Sequence, residues 1–150
     1  MEQEYFSIFV FCLGTFMYSV VFDPLRKKQV ALTPEERVRQ FFINWLHSRR
    51  NWPLQLMASE YTIKFGRKSF RCDIVAFNRS LEPQIIVECK APEVELGKAV
   101  LDQILTYNMV LKVPHLVITN GAQTYVCSYN DAAEKYVFVE DIPYYLPDKF

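Results

Sequence analysis

The sequence predicts an α/β domain, and three observations carry that prediction. Thr33-Pro34-Glu35-Glu36 opens an amphipathic helix with a capping box and a proline at the first helical position. Residues 70–77 and 84–90 are apolar strands separated by a short turn. A second helix begins near residue 95, and further strands follow it.

A chain of 150 residues suits one domain with a substantial core. Its composition, 51% hydrophobic and 23% charged, excludes a disordered or fibrous protein. No GxxxxGK[ST] or GxGxxG loop is present to cradle phosphates, and two histidines, His47 and His115, exclude a multi-histidine metal site. The formal net charge is zero but unevenly spread. Residues 26–90 hold 13 basic and 6 acidic side chains, and both flanks are acidic. Such a segment fits a nucleic-acid face, and equally an ordinary solvated surface. Cys12, Cys72, Cys89 and Cys127 lack metal-ligand spacing and read as reduced thiols of a cytoplasmic protein.

From the N-terminus, residues 5–22 form an uncharged, mostly apolar run of 18 residues. That length only just reaches the membrane-spanning threshold, and its Phe, Tyr and Val content suits core strands equally. The first helix follows, over residues 33–50. Val38, Phe41, Phe42, Trp45 and Leu46 recur at helical spacing and predict its buried face.

Residues 61–65 and 70–77 are the next strands. In the second, strict alternation puts Asp73 with Val75 and Phe77, and Cys72 with Ile74 and Ala76. The turn at 78–83 folds the strand 84–90 back beside it. Apolar residues of both parities mark this strand as central, yet it carries Glu88 and Lys90, which alternation points to one face. Pro92 ends the strand, so both charges lie at its C-terminal end, where ligand clefts open. The hairpin also brings Asp73 near Glu88. A helix is predicted over 95–112, with Gln103 and Tyr107 on one face. Strands at 116–119 and 123–129 flank Asn120-Gly121, a type I′ hairpin signal, and a last strand spans 136–139.

Charges in buried strands are costly unless paired or metal-bound. Two carboxylates and a lysine at one sheet end suit phosphodiester hydrolysis. The carboxylates hold a hard cation, and the lysine offsets charge building on the phosphate. A structural ion pair within the sheet is the plainer reading of the same residues.

Asp73…Glu88-Cys89-Lys90 resembles the D…ExK signature of the PD-(D/E)xK nuclease superfamily. The stretches 22–28, 33–40, 87–92, 102–108 and 119–121 resemble one branch of it, the N-terminal domain family of the type I restriction enzyme R subunit, in stand-alone form. The resemblance implies a restriction-endonuclease-like α/β fold, with a central mixed β-sheet flanked by helices on both faces. It implies Mg²⁺-dependent DNA cleavage, with Mn²⁺ as a substitute. It makes Asp73 and Glu88 metal ligands, Lys90 the catalytic lysine and Glu36 a catalytic acidic residue. Gln103 and Tyr107 match a QxxxY motif placed near DNA. A non-catalytic DNA-binding or assembly module on the same fold is the alternative. DNA, a helicase or specificity protein and a second copy of the chain are the implied partners, with a membrane disfavoured. The match begins near Phe22. Residues 22–150 are therefore read as one nuclease-like domain, and residues 1–21 as an anchor, an extra strand or a misassigned start.

Overall fold

The computed structural model of the protein describes residues 8–13 and 16–147, without the side chains of residues 8–13, 16–18, 103, 106 and 107. Strands β1 (Ile8–Leu13), β2 (Phe16–Asp23) and β3 (Lys28–Ala31) form a three-stranded antiparallel sheet. Helix α1 (Pro34–Arg50) follows. A six-stranded sheet then runs in sequence order through β4 (Met57–Phe65), β5 (Lys68–Phe77), β6 (Pro83–Cys89), β7 (His115–Thr119), β8 (Thr124–Asn130) and β9 (Lys135–Val139). All its neighbours are antiparallel except β6 and β7. That parallel step needs a crossover, and α2 (Lys98–Asn108) supplies it. Among the described residues no helix is long and apolar enough to cross a membrane.

The two faces of the large sheet are covered by different helices, as the expected α/β class requires. Val38, Phe42, Ile43 and Leu46 of α1 pack with Ile74, Ala76, Ile85, Val87 and Val117. On the opposite face Val75, Ile86, Leu116 and Cys127 meet Ile104 and Leu105 of α2. The central strands β6 and β7 are thus buried on both sides, which is why their sequences carry apolar residues of both parities.

Helix α1 starts where the capping signal predicts, with the Thr33 hydroxyl accepting the Glu36 N–H at 3.1 Å. Its buried face is rotated from the expected one. Phe41 is 52% exposed, whereas Ile43 is fully buried. Glu36, Arg39, Gln40 and Ile43 form an i, i+3, i+4, i+7 stripe, so the helix buries a polar row beside its apolar one. Asn51 closes the helix in the left-handed region (φ 61°), and Trp52 then donates from Nε1 to the Pro143 carbonyl at 3.1 Å, fastening the C-terminal segment.

Other departures are local. Strand β4 begins four residues before the expected position. Helix α2 is shorter than expected, because residues 91–97 form a turn closed by the Val94 N–H on the Ala91 carbonyl. The β7–β8 connection is not type I′. Of its central residues only Gly121 has positive φ (90°), while Asn120 instead uses Oδ1 to accept the N–H groups of Ala122 and Gln123. The turn thus has one positive-φ position, which glycine takes readily.

The small sheet is tied to the rest by Asp23, a fully buried carboxylate. It accepts the N–H groups of Leu25 and Arg26, the Arg26 guanidinium and the Ser59 hydroxyl of β4. Burial alone would raise its pKa, but the hydrogen bonds and charge of Arg26 outweigh it and hold the carboxyl below its usual value of 3.8. Its stabilisation is therefore present above that value and lost as pH falls through the lowered pKa. Asp23→Ala leaves Arg26 with Glu36 alone and frees the N–H groups of Leu25 and Arg26 and the Ser59 hydroxyl, and should cost about 3 kcal/mol at neutral pH. Urea titrations across pH should show the gap to wild type closing in acid, and a gap independent of pH would deny Asp23 this role.

Candidate active site

Strand β6 separates from β5 before it separates from β7. The β5–β6 ladder runs to Ile74↔Val87, so Asp73 and Glu88 occupy the next register level, just past its end. On the other side β6 stays paired, Glu88↔Ile118 and Cys89↔Thr119, and Lys90 N–H donates to the Thr119 carbonyl at 2.8 Å. The fork between β5 and β6 frees the backbone N–H of Cys89. Asp73 accepts it on Oδ2 at 2.7 Å, closing the fork with a side chain in place of a strand.

Asp73 does not share a face with Val75 and Phe77, as strict alternation predicts. Cys72 packs with Val75 and Phe77 instead, and Asp73 reaches toward α1. The neighbouring strand is also irregular at this level. The β4–β5 pairing passes from Ser59↔Ile74 to Tyr61↔Cys72, and Glu60, between them, has φ 54°. A left-handed glutamate inside a strand is strained backbone that its surroundings must hold, and such positions gather at functional sites.

What holds it is Arg39. Its side chain is 5% exposed and contacts four carboxylates. Nη1 bonds Glu36 Oε2 at 2.6 Å, and Nη2 reaches Glu60 at 2.8 Å, Asp73 Oδ1 at 3.0 Å and Glu35 at 3.6 Å. Glu36 is saturated in turn, its Oε1 accepting from Arg26 at 2.6 Å and from Gln40 at 2.9 Å. Glu60 also pairs with Arg71 of β5. Five carboxylates, Asp23 included, are thus threaded by Arg26, Arg39 and Arg71. Motif reasoning passed over Arg39, Arg26 and Glu60. The available signals were the Glu36–Arg39 helical spacing and a glutamate within strand β4.

Glu88 and Lys90 emerge together, as expected, with Nζ 3.1 Å from Oε1. Burial raises the Glu88 pKa, and the Asp73 charge raises it further against the opposing pull of Lys90. Burial depresses Lys90, but Glu88 outweighs it, and its pKa lies above 10.5. The pair borders a cleft of about 470 Å³ between β6 and α2, lined also by Arg71, Ile104 and Asn108. Glu36 is brought to this centre only through Arg39, which links it to Asp73. The side chains of Gln103 and Tyr107, the expected DNA contacts, lie outside the described residues; the backbone of both is in α2.

No group of three His, Cys, Asp or Glu side chains among the described residues is gathered closely enough to hold a metal. Two carboxylates at one register level suffice for Mg²⁺, which takes one or two from protein and completes its shell with water and substrate phosphate. The carboxylate chemistry of Asp73 and Glu88 fits that ion, with Glu88 open to the cleft and Asp73 turned toward α1, its oxygens engaged by Arg39 and the Cys89 N–H.

The family described as type I restriction enzyme R protein N terminus matches residues 34–143. The chain belongs to that family. The matched span starts with α1 and includes Glu36, Arg39, Asp73, Glu88 and Lys90. Among solved structures, a fragment of a putative HsdR subunit of a type I restriction enzyme from Vibrio vulnificus YJ016 is similar at 17% identity and a TM-score of 0.49. That match covers 77% of this chain and 24% of the fragment, so the chain spans about a quarter of that fragment's length. No curated protein matches significantly.

Because Asp73 helps to hold the Glu88 pKa up, Asp73→Asn should lower it toward 4.5. Carboxyl-carbon NMR titration of Glu88 in both proteins measures this, and an unmoved Glu88 would mean that the two groups do not sense each other.

Proposed function

We propose that the protein hydrolyses DNA phosphodiester bonds with Mg²⁺, as a nuclease of restriction type. The observation that carries this reading is the Glu88–Lys90 pair, held at the end of a central strand with a buried middle and open to a cleft. Asp73 and Glu88 would hold the ion. When bound, it supplies a nucleophilic hydroxide and neutralises charge on the phosphate.

The chain's own residues do the rest. Lys90, charged throughout the physiological range, is placed to orient the attacking water and stabilise the negative charge that grows on the phosphate oxygens. Glu88 keeps Lys90 directed along the cleft. Arg39 holds Asp73 in place from α1, and Glu36 serves as a positioning residue through Arg39. The excess of basic side chains over residues 26–90 favours a polyanionic substrate. A helicase or specificity protein would supply translocation or target choice.

One observation favours a second reading, a non-catalytic DNA-binding or assembly module. Both Asp73 oxygens are already engaged, by Arg39 and by the Cys89 N–H. Plasmid nicking with Mg²⁺ or with chelator, combined with metal calorimetry, separates the two. Lys90→Ala should bind Mg²⁺ as wild type does and lose about 100-fold or more in cleavage, since it removes a group acting on the developing charge. Asp73→Asn should lose the metal itself. If wild type neither nicks DNA nor binds Mg²⁺ or Mn²⁺ through Asp73 and Glu88, the module reading replaces the nuclease.

A further inference from the structure

Arg39 distributes its five donors unevenly. Nη1 serves Glu36, while Nη2, with two hydrogens, is reached by Glu60 at 2.8 Å, Asp73 at 3.0 Å and Glu35 at 3.6 Å. Nε is buried, on a side chain only 5% exposed, and has no hydrogen-bond partner. Nε and Nη2 point along one edge of the planar guanidinium, an edge that a carboxylate can grip with both oxygens. A crowded donor thus stands beside an idle one. A buried N–H left unpaired is costly, so filling it is favoured once a carboxylate is free to do so.

Glu60 is the carboxylate placed for this. It divides its oxygens between two arginines, Oε1 on Arg39 and Oε2 on Arg71. Gripping the Nε–Nη2 edge takes both oxygens, so Glu60 cannot close on Arg39 while it holds Arg71. The two attachments are unequal. The Arg71 side chain is 73% exposed, and ion pairs in that setting are weak and screened, whereas Arg39 is enclosed. Arg71 also lines the cleft beside Glu88 and Lys90. Asp73 supplies the other half of the exchange. Its Oδ2 accepts the Cys89 N–H, and its Oδ1 is held by Arg39 Nη2, the donor that Glu60 would take over.

We infer that Glu60 is a positioning residue for the metal site: by moving from Arg71 onto the Nε–Nη2 edge of Arg39 it releases Asp73 Oδ1 to the cation, and a DNA phosphate that captures Arg71 drives the move. The inference rests on the proposed nuclease reading and deepens it by making the engagement of Asp73 a resting state. Phosphate binds arginine through the same fork that a carboxylate uses, so it competes for Arg71 directly. Metal and DNA then strengthen each other's binding, as linkage requires.

The Arg39 Nε–H reports the exchange, because its proton resonance moves downfield when a carboxylate accepts from it. NMR of the full chain without metal should show it free of a hydrogen bond. Mg²⁺ should shift it downfield, and so should a short DNA duplex added in chelator, where no cleavage occurs. Arg71→Gln, at an exposed position, should give the same shift with neither ligand, since Glu60 then has no second arginine to hold. In calorimetry that variant should bind Mg²⁺ about tenfold more tightly than wild type, within the usual range of coupling between sites. Removing a cation near the metal also tightens binding by charge alone. The substitution is therefore repeated on a Glu60→Gln background, where the gain should shrink and the Nε–H shift disappear.

A bound duplex or bound Mg²⁺ that leaves the Nε–H unmoved overturns the inference and leaves the nuclease reading standing. An Nε–H already hydrogen-bonded without either ligand overturns it too, as does an equal gain from Arg71→Gln on both backgrounds. Wild type that binds no Mg²⁺ or no duplex sinks the nuclease reading, and this inference falls with it.

Discussion

One guanidinium holds the centre of this protein together. Arg39 is buried among Glu36, Glu60 and Asp73, residues that belong to a helix and two strands with no other covalent or ladder connection at that level. A buried arginine is tolerable only with such partners, and each carboxylate is tolerable there only because of the arginine. The planar fork has enough donors to serve several acceptors at once, which a lysine ammonium cannot do with the same fixed directions. The left-handed Glu60, the displaced Asp73 and the rotated face of α1 all follow from bringing three carboxylates to one cation.

The same arrangement explains why the fold and the site can be specified by different parts of the sequence. The apolar residues on both faces of β6 and β7 would build the layered sheet with any polar set at its end. The polar set in turn depends on where β5 and β6 fork, because the fork releases the Cys89 N–H that Asp73 takes up. Membership in the restriction enzyme R protein family agrees with that division, since the matched residues include both the sheet and the charged centre.

Much of this was legible beforehand. The capping box at Thr33, the two-parity apolar run at 85–89 and the Glu88–Lys90 adjacency are local signals, and local structure obeys them. The side chosen by Asp73 was not legible, because alternation assumes an unbroken pleat and the break is made by Glu60 on the neighbouring strand. Nor was the burial of Arg39 over Phe41, since the apolar spacing on α1 counts Phe41 as inward while ion pairing across 34 residues turns the helix toward Asp73. Long-range electrostatics outweighed a local pattern at both places. The small N-terminal sheet was equally hidden. A run of Phe, Tyr and Val fits several environments, and only the buried Asp23 beyond it shows how β2 and β3 attach.

The single parallel step in the sheet has a consequence for how the site comes into being. Strands β4–β6 form one antiparallel meander and β7–β9 another, each closed by short turns that cost little chain entropy. The two halves meet only through β6 and β7, after the intervening 25 residues with α2 have looped over. Glu88 and Lys90 stand at that seam, with the Lys90 backbone secured to Thr119 of the second half. A ribosome that has released only the first meander has already made every charged residue of the centre. The strand that holds Lys90 in place is not yet there. The chemistry is thus tied to completion of the sheet, and a partly folded chain does not carry the assembled pair.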